Sequence, residues 1–430
     1  MRADVLIEKE LLQYCDSRGA ALIESLQTLV RTPSENTPPT GAELACQEYC
    51  AESLAQSGYT VDRFQPDAVE GLRDHPLYRR DRDYTNRPVI AGRRAGTGGG
   101  RSLILSGHMD TVPCGTLPWT RNPFDGAIES GRLYGRGSND MKAGIATNLF
   151  VARAFHELGL PLRGTLTIES VVDEEFGGVN GTLASRLRGY LADAAVISEA
   201  SSLRVCPAQR GGRTAHITFE VPNGGILSAG METGVADQLG LFLSRLSSFA
   251  ELRKSSARRH PLYAHVENHV PVSVLKIHSG PWGTGEPMAT ASTCRVELYW
   301  QTMPGEDVGT IDAQFRDWMS SVVESKPQLF PVAPSVSFPV EWLPAAVTDV
   351  ESPFVHEFTA CVREVLGAEP DVAGIEGPCD MFVFNQTFGI PAVLWGARGG
   401  NTHAADEYVE IDSVLVAARA LLLFAYRWCA

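Results

Sequence analysis

The stretch Ser102-Leu-Ile-Leu-Ser-Gly-His-Met-Asp110 (SLILSGHMD, 102–110) carries the first legible decision about the fold. A short apolar run bounded by turn residues is how a strand buried on both faces looks, and here it delivers a histidine and an aspartate at its carboxyl end. The same grammar recurs downstream. MKAGIATNLFVARAFHELG (141–159) reads as a helix, with Ile145, Leu149, Ala152 and Phe155 aligned and Gly159 placed to end it. TLTIESVV (165–172) reads as a strand, LASRLRGYL (183–191) as a helix and AAVIS (194–198) as another buried strand. Strands alternating with helices of this length predict an α/β fold built on a doubly wound, mostly parallel sheet.

Upstream, the pattern from Ile7 to about Gly58 is helical, with one apolar stripe through Leu22, Ile23, Leu26, Leu29 and Val30. The charged, proline-containing stretch RDHPLYRRDRDYTNRP (73–88) reads as an exposed loop, and GTGGG (96–100) as a turn. After Gln209 the pattern changes. HITFEV (216–221), VSVLKI (272–277), CRVELYW (294–300) and SVSFPVEWL (335–343) are strand-like, with helices over 236–252 and 310–325. Alternation returns through PAVLWG (391–396) and a closing helix over 412–428. The expected organisation is a catalytic domain in two parts, 1–209 and 346–430, with an inserted α+β lid, 210–345.

At 430 residues, 44% hydrophobic and 20% charged, the chain can bury a large core, which excludes a disordered or disulfide-stapled class. Net charge is −14, from 37 basic and 51 acidic residues, which argues against binding nucleic acid or an anionic membrane surface. The nine cysteines are scattered, and reduced buried thiols are the expected state. The amino terminus is charged throughout, and no uncharged apolar run of about 18 residues occurs. A cytoplasmic protein is the expectation.

The chemistry lies at the carboxyl end of each buried strand. His108 and Asp110 come after the first, Asp173-Glu174-Glu175 after TLTIESVV, and Glu199 after AAVIS; Asp140 stands before a helix and His403 in a late Gly-rich loop. Each alone is an ordinary helix cap, surface charge or core-edge histidine. Ligands of doubly wound sheets, however, bind at the carboxyl ends of the strands, and carboxylates converging there repel unless a cation neutralises them. Two imidazoles with several carboxylates suit zinc or manganese, whereas calcium would use oxygen alone. His108, Asp140, Glu175, Glu199 and His403 make five ligands, the number two cations sharing one carboxylate would need. That leaves Asp110, which can accept the second imidazole N–H of His108, and Glu174, which suits a general base.

HMD after an apolar strand, GSNDMKAG, DEEFGG, ISEA and a late TH-x-x-DE-Y together resemble the M20 family of dinuclear zinc amidohydrolases and peptidases. Its members include acetylornithine deacetylases, succinyl-diaminopimelate desuccinylases, aminoacylases and glutamate carboxypeptidases. The resemblance implies that His108 and Glu199 bind one zinc, Glu175 and His403 the other, and that Asp140 bridges them, with Glu174 as base and Asp110 as orienter. Co2+ or Mn2+ would suit the same ligands. It also implies a homodimer formed through the lid. Three positions depart from the family pattern. Leu227 stands where a lid histidine of the AHSSRPxxGVNA type would reach the partner's site, Gln301 replaces an arginine before PGE (304–306), and Met381 replaces one after Asp380. Arg210, His278 and Gly400 are the remaining candidates for substrate contact. The expected activity is cleavage of the amide C–N bond of a small N-acylated amino compound. A dipeptidase or carboxypeptidase, an amidohydrolase acting on a non-amino-acid substrate, and a non-catalytic metal-binding relative are the alternatives.

Overall fold

The computed structural model describes residues 2–222, 234–281, 289–339 and 342–430. It divides into two compact units, Met1–Ala208 with Val347–Ile375 and Cys379–Ala430, and Gln209–Ala346 with Glu376–Pro378.

The first unit opens with helices α1 (Arg2–Arg31) and α2 (Leu44–Gln56), followed by strands β1 (Thr60–Phe64), β2 (Val89–Arg94) and β3 (Leu103–His108). Helix α3 (Ala143–Glu157), β4 (Leu166–Val171), α4 (Asn180–Leu187) and β5 (Ala194–Ile197) continue it. The second unit holds β6 (Gly211–Glu220), α5 (Val235–Ser256), β7 (Val272–Ser279), β8 (Thr293–Thr302), α6 (Val308–Ser325) and β9 (Ser335–Ser337). The chain then returns to the first unit with α7 (Pro353–Leu366), β10 (Ala392–Leu394) and α8 (Ile411–Cys429).

The six-stranded sheet of the first unit runs in the order β10-β5-β3-β4-β2-β1. β10, β5, β3 and β4 are mutually parallel, while β2 and β1 are added antiparallel. The four parallel strands are buried along their whole length, as apolar runs between helical layers should be. On α3 every residue but Arg153, His156 and Glu157 is buried, so this helix lies within the core that α1 and α8 share. The second unit is a four-stranded antiparallel sheet, β7-β8-β6-β9, whose core gathers Phe219, Phe242, Phe249, Trp300, Phe315 and Trp318 with α5 and α6. None of the described helices is long and apolar enough to cross a membrane.

Several expectations need correction. The helical pattern from Ile7 to Gly58 is two helices, separated by a segment carrying Pro33, Pro38 and Pro39. Among the described residues of SVSFPVEWL, Ser335–Ser337 form the strand, and Phe338-Pro339 breaks the ladder. The loop 73–88 is exposed only in part: Arg79, Tyr84 and Arg87 are 5%, 1% and 0% exposed. Leu227 lies outside the described residues.

Candidate metal centre

The parallel strands end side by side, and their carboxyl ends hold the polar cluster. His108 is the last residue of β3, Glu174 and Glu175 come after β4, and Glu199 stands two residues beyond β5. Asp140 lies in the turn that leads into α3, and its peptide bond to Met141 is cis. His403 comes from the loop after β10, with a left-handed φ of 62°.

The geometry separates these side chains into two groups that share Asp140. Nε2 of His108 is 3.1 Å from Asp140 Oδ1, 3.2 Å from Glu199 Oε1 and 3.9 Å from Glu174 Oε2. Nε2 of His403 is 3.3 Å from Asp140 Oδ2 and 2.9 Å from Glu175 Oε2. Asp140 therefore offers one oxygen to each histidine. In each group one nitrogen and two carboxylate oxygens lie within 4.8 Å of one another, an arrangement able to hold a metal ion. Donors bound at about 2.1 Å around a tetrahedral centre stand about 3.4 Å apart, so these spacings fit zinc-like ligation. All five sequence-chosen residues are thus brought together.

The protonation balance of the cluster points the same way. Burial drives the Glu174 carboxyl well above its ordinary value and Glu175 up to about 7, and neighbouring carboxylates add to both shifts. Burial would lower His108, but Glu199 and Asp140 outweigh it and hold the imidazole well above its usual range. His403 likewise reaches about 11 against the pull of burial, through its bonds to Asp140 and Glu175. Asp140 is held below the usual carboxylate range, its own desolvation overcome by the two imidazoles. The site is built for positive charge.

Asp110 behaves differently from the sequence expectation. Nδ1 of His108 lies 2.9 Å from the backbone oxygen of Asp110 but 3.6 Å from its carboxylate Oδ1. The other oxygen, Oδ2, accepts the backbone N–H groups of Glu174 at 2.9 Å and Glu175 at 3.1 Å, and Asn36 Nδ2 at 2.9 Å. Asp110 therefore orients the histidine through its main chain and the glutamate loop through its side chain.

Sequence reasoning missed a second carboxylate of this kind. Glu407, 1% exposed, accepts the N–H groups of Asn139 (2.9 Å) and Asp140 (3.0 Å) on Oε1, and Gly137 N–H (3.0 Å) with Arg136 Nη1 on Oε2. Asn139 Nδ2 donates to Thr402 Oγ1 at 2.7 Å, tying the Asp140 turn to the His403 loop. The only signal for Glu407 was its place in the last motif, where nothing in the spacing reveals that it caps a turn 270 residues upstream. Asp380 was also missed. It is 6% exposed, receives the Thr182 hydroxyl at 2.6 Å, and lines a small cavity with Ser106, His108, Glu174 and Glu199.

Gly400, proposed for substrate contact, pairs with Tyr408 in a short ladder, and an added Cβ would sit 2.8 Å from that tyrosine's hydroxyl. Arg210 and His278 belong to the second unit. Arg210 donates to the His269 carbonyl at 3.1 Å beside the Tyr263 ring, and His278 sits exposed on β7 opposite Arg295.

Known proteins match the chain over nearly its whole length. The chain is 26% identical to an N-formyl-4-amino-5-aminomethyl-2-methylpyrimidine deformylase of Halalkalibacterium halodurans, over 98% of this chain and 97% of that protein. It is equally similar, at 26%, to the deformylase of the same name from Bacillus subtilis, over 95% and 94%. Among solved structures, a di-peptidase from Saccharomyces cerevisiae superposes with a TM-score of 0.78 at 16% identity, covering 98% of each chain. Human carnosine dipeptidase 1 gives 0.74 at 16%, covering 98% and 99%. These structures share the fold. The model of peptidase family M20/M25/M40 matches residues 104–427, and the chain belongs to this hydrolase family.

Proposed function

We propose that the protein is a two-metal deacylase that cleaves the amide C–N bond of a small N-acylated amine, with N-formyl amines as the substrate class. The observation that carries this reading is the pair of donor groups sharing Asp140, with Glu174 beside His108. His108 and Glu199 hold one divalent ion, Glu175 and His403 the other, and Asp140 both. Zn2+ suits these nitrogen and oxygen donors, as do Co2+ and Mn2+.

Bound there, the ions supply Lewis-acid polarisation of a carbonyl and acidify water. The chain's own groups do the rest. Glu174 accepts a proton from the attacking water on a carboxylate oxygen as the water oxygen bonds to the carbonyl carbon. It then delivers that proton to the amide nitrogen as the C–N bond breaks, releasing the acid and the amine. Asp110 keeps Glu174 in reach by holding its backbone N–H.

The surroundings of Glu174 speak against a carboxylate-bearing acyl group: among the described residues lining the cavity beside it there is no lysine or arginine, while Asp380 adds a further carboxyl. The relatives named as deformylases of an N-formyl aminomethylpyrimidine support the same choice.

The second unit serves as a lid and as the contact between two copies. Its edge strand β7 exposes Leu275 (51%) and Ile277 (47%), apolar groups that a paired strand would cover. None of the nine cysteines forms a disulfide, and all but Cys114 are buried, which supports a reducing compartment such as the cytoplasm.

The test is hydrolysis of a panel of N-formyl amines, N-acyl amino acids and dipeptides by the zinc-reconstituted protein and by Glu174→Gln. The reading requires cleavage of N-formyl amines and a loss in Glu174→Gln of about 100-fold or more in kcat with metal content retained. Cleavage of dipeptides alone would replace it with a peptidase. Metal binding without turnover on any member would replace it with a binding protein.

A further inference from the structure

The stretch 73–88 buries three charged or polar side chains that a solvated loop would leave in water. Desolvating a guanidinium costs several kcal/mol unless hydrogen bonds and counter-charges compensate, so the partners of these groups are informative. Arg87 is held by Glu43, with Nη2 to Oε1 at 2.6 Å and Nε to Oε2 at 2.9 Å. On that anchor, the neighbouring side chains reach one segment, the loop that carries Glu174 and Glu175.

Arg82 donates from Nε to Asp173 Oδ1 at 3.0 Å and from Nη2 to the Phe176 carbonyl at 3.3 Å. Tyr84 donates its hydroxyl to Asp173 Oδ2 at 2.7 Å, and Arg79 donates from Nε to the Gly177 carbonyl at 2.9 Å. Asp173 takes a left-handed φ of 66°, and its side chain is buried at 0% exposure. The bonds therefore fall immediately before and immediately after the two glutamates. Asp110 meets the same loop through the N–H groups of the glutamates themselves.

We infer that Arg82 is a positioning residue: by bridging Asp173 and the Phe176 carbonyl it sets where Glu174 and Glu175 stand. Its kinetic consequence rests on the deacylase reading, whereas its structural consequence does not. Without Arg82 the loop keeps its bonds to Asp110, Tyr84 and Arg79 but loses the side chain that spans residues 173–176, and the two glutamates sample positions away from the reacting atoms. Displacement of a reacting group by about 1 Å can cost 100-fold in rate.

The experiment compares wild type with Arg82→Ala, Arg82→Lys and Tyr84→Phe by site-resolved hydrogen exchange, thermal unfolding and steady-state kinetics at saturating zinc. In Arg82→Ala, the Glu174 and Glu175 amides exchange about tenfold faster while amides of β3 and α3 stay unchanged. On a substrate cleaved by wild type, kcat falls about 10- to 100-fold with KM within about twofold. Arg82→Lys, which can reach one acceptor at a time, restores part of both effects. Should the alanine variant fail to fold, Tyr84→Phe, which removes one bond to Asp173, shows the same pattern at smaller size. Unchanged exchange at Glu174 and Glu175 overturns the inference, as does faster exchange with wild-type kcat. A lowered unfolding temperature alone would mean a purely structural brace. If wild type cleaves nothing on the panel, the deacylase reading falls and the exchange result alone decides the role of Arg82.

Discussion

Replacing Glu407 by glutamine changes one oxygen to an amide and leaves the shape of the side chain intact. In the wild-type protein both oxygens are fully engaged, Oε1 by the N–H groups of Asn139 and Asp140 and Oε2 by Gly137 N–H and Arg136. The glutamine NH2 must face one of these pairs. Facing Asn139 and Asp140 it leaves two backbone donors without an acceptor, at about 1–3 kcal/mol each. Facing Gly137 and Arg136 it leaves one such donor and a guanidinium 1% exposed without its counter-charge, and breaking a buried pair costs about 3–5 kcal/mol. The first orientation costs about 2–6 kcal/mol and the second about 4–8, so the cheaper first one sets the loss; at about 2 °C per kcal/mol for a domain of this size it lowers the unfolding temperature by roughly 4–12 °C. Because the turn being released carries Asp140, the carboxylate offered to both histidines, metal retention should suffer as well. Thermal unfolding with and without zinc, together with metal analysis after gel filtration, reads both effects. An unfolding temperature within a degree of wild type and full metal content would refute the role given to Glu407.

Three further outcomes rest on the same geometry. Gly144→Ala places a Cβ 1.9 Å from the Ser198 carbonyl, so it should destabilise by about 1–3 kcal/mol or more and shift neighbouring Glu199; urea unfolding and zinc titration check this, and a neutral result would show that β5 and α3 can separate freely. Glu43→Ala removes the counter-charge of Arg87 (0% exposed) and should cost about 3–5 kcal/mol in urea unfolding, more than an exposed pair such as Arg363–Glu369 yields when broken. Zinc affinity should rise steeply with pH. Without a cation, His403 keeps its proton to about 11 and His108 well above its usual value, so metal must displace those protons, and lowering pH strengthens the competitor. Calorimetry in two buffers of different ionisation enthalpy reads the protons released; affinity unchanged between about pH 6 and pH 8 would contradict the ligand assignment.

The parallel strands were legible because full burial on both faces writes itself as unbroken apolar runs, and the chemistry could be found because each run ends in a polar residue. β1 and β2 were not legible. TVDRF mixes charge into an edge strand, and VIAGRR ends in two arginines that escape full burial. The clamp around Asp173 was misread for a related reason. A stretch with four arginines among 73–82 looks solvated unless the counter-charges at Glu43 and Asp173, distant in sequence, are known to meet it. Asp110 shows the limit of spacing arguments: its two-residue offset from His108 suggested a carboxylate–imidazole bond, while the carboxylate is occupied by a loop 64 residues away. Four of the five cluster residues could be picked out because they sit at or just beyond a strand end or beside a helix start, positions that the α/β alternation itself defines, whereas His403 lies in the loop that follows β10.

The central claim is that His108, Asp140, Glu175, Glu199 and His403 hold two ions on one shared carboxylate. The most direct measurement is anomalous diffraction from zinc-reconstituted crystals of the wild type, with metal stoichiometry measured on the same sample. The account predicts two zinc ions per chain, about 3.5–4 Å apart, one against His108 and Glu199 and the other against His403 and Glu175, with Asp140 between them. One ion, none, or two ions away from Asp140 would contradict it.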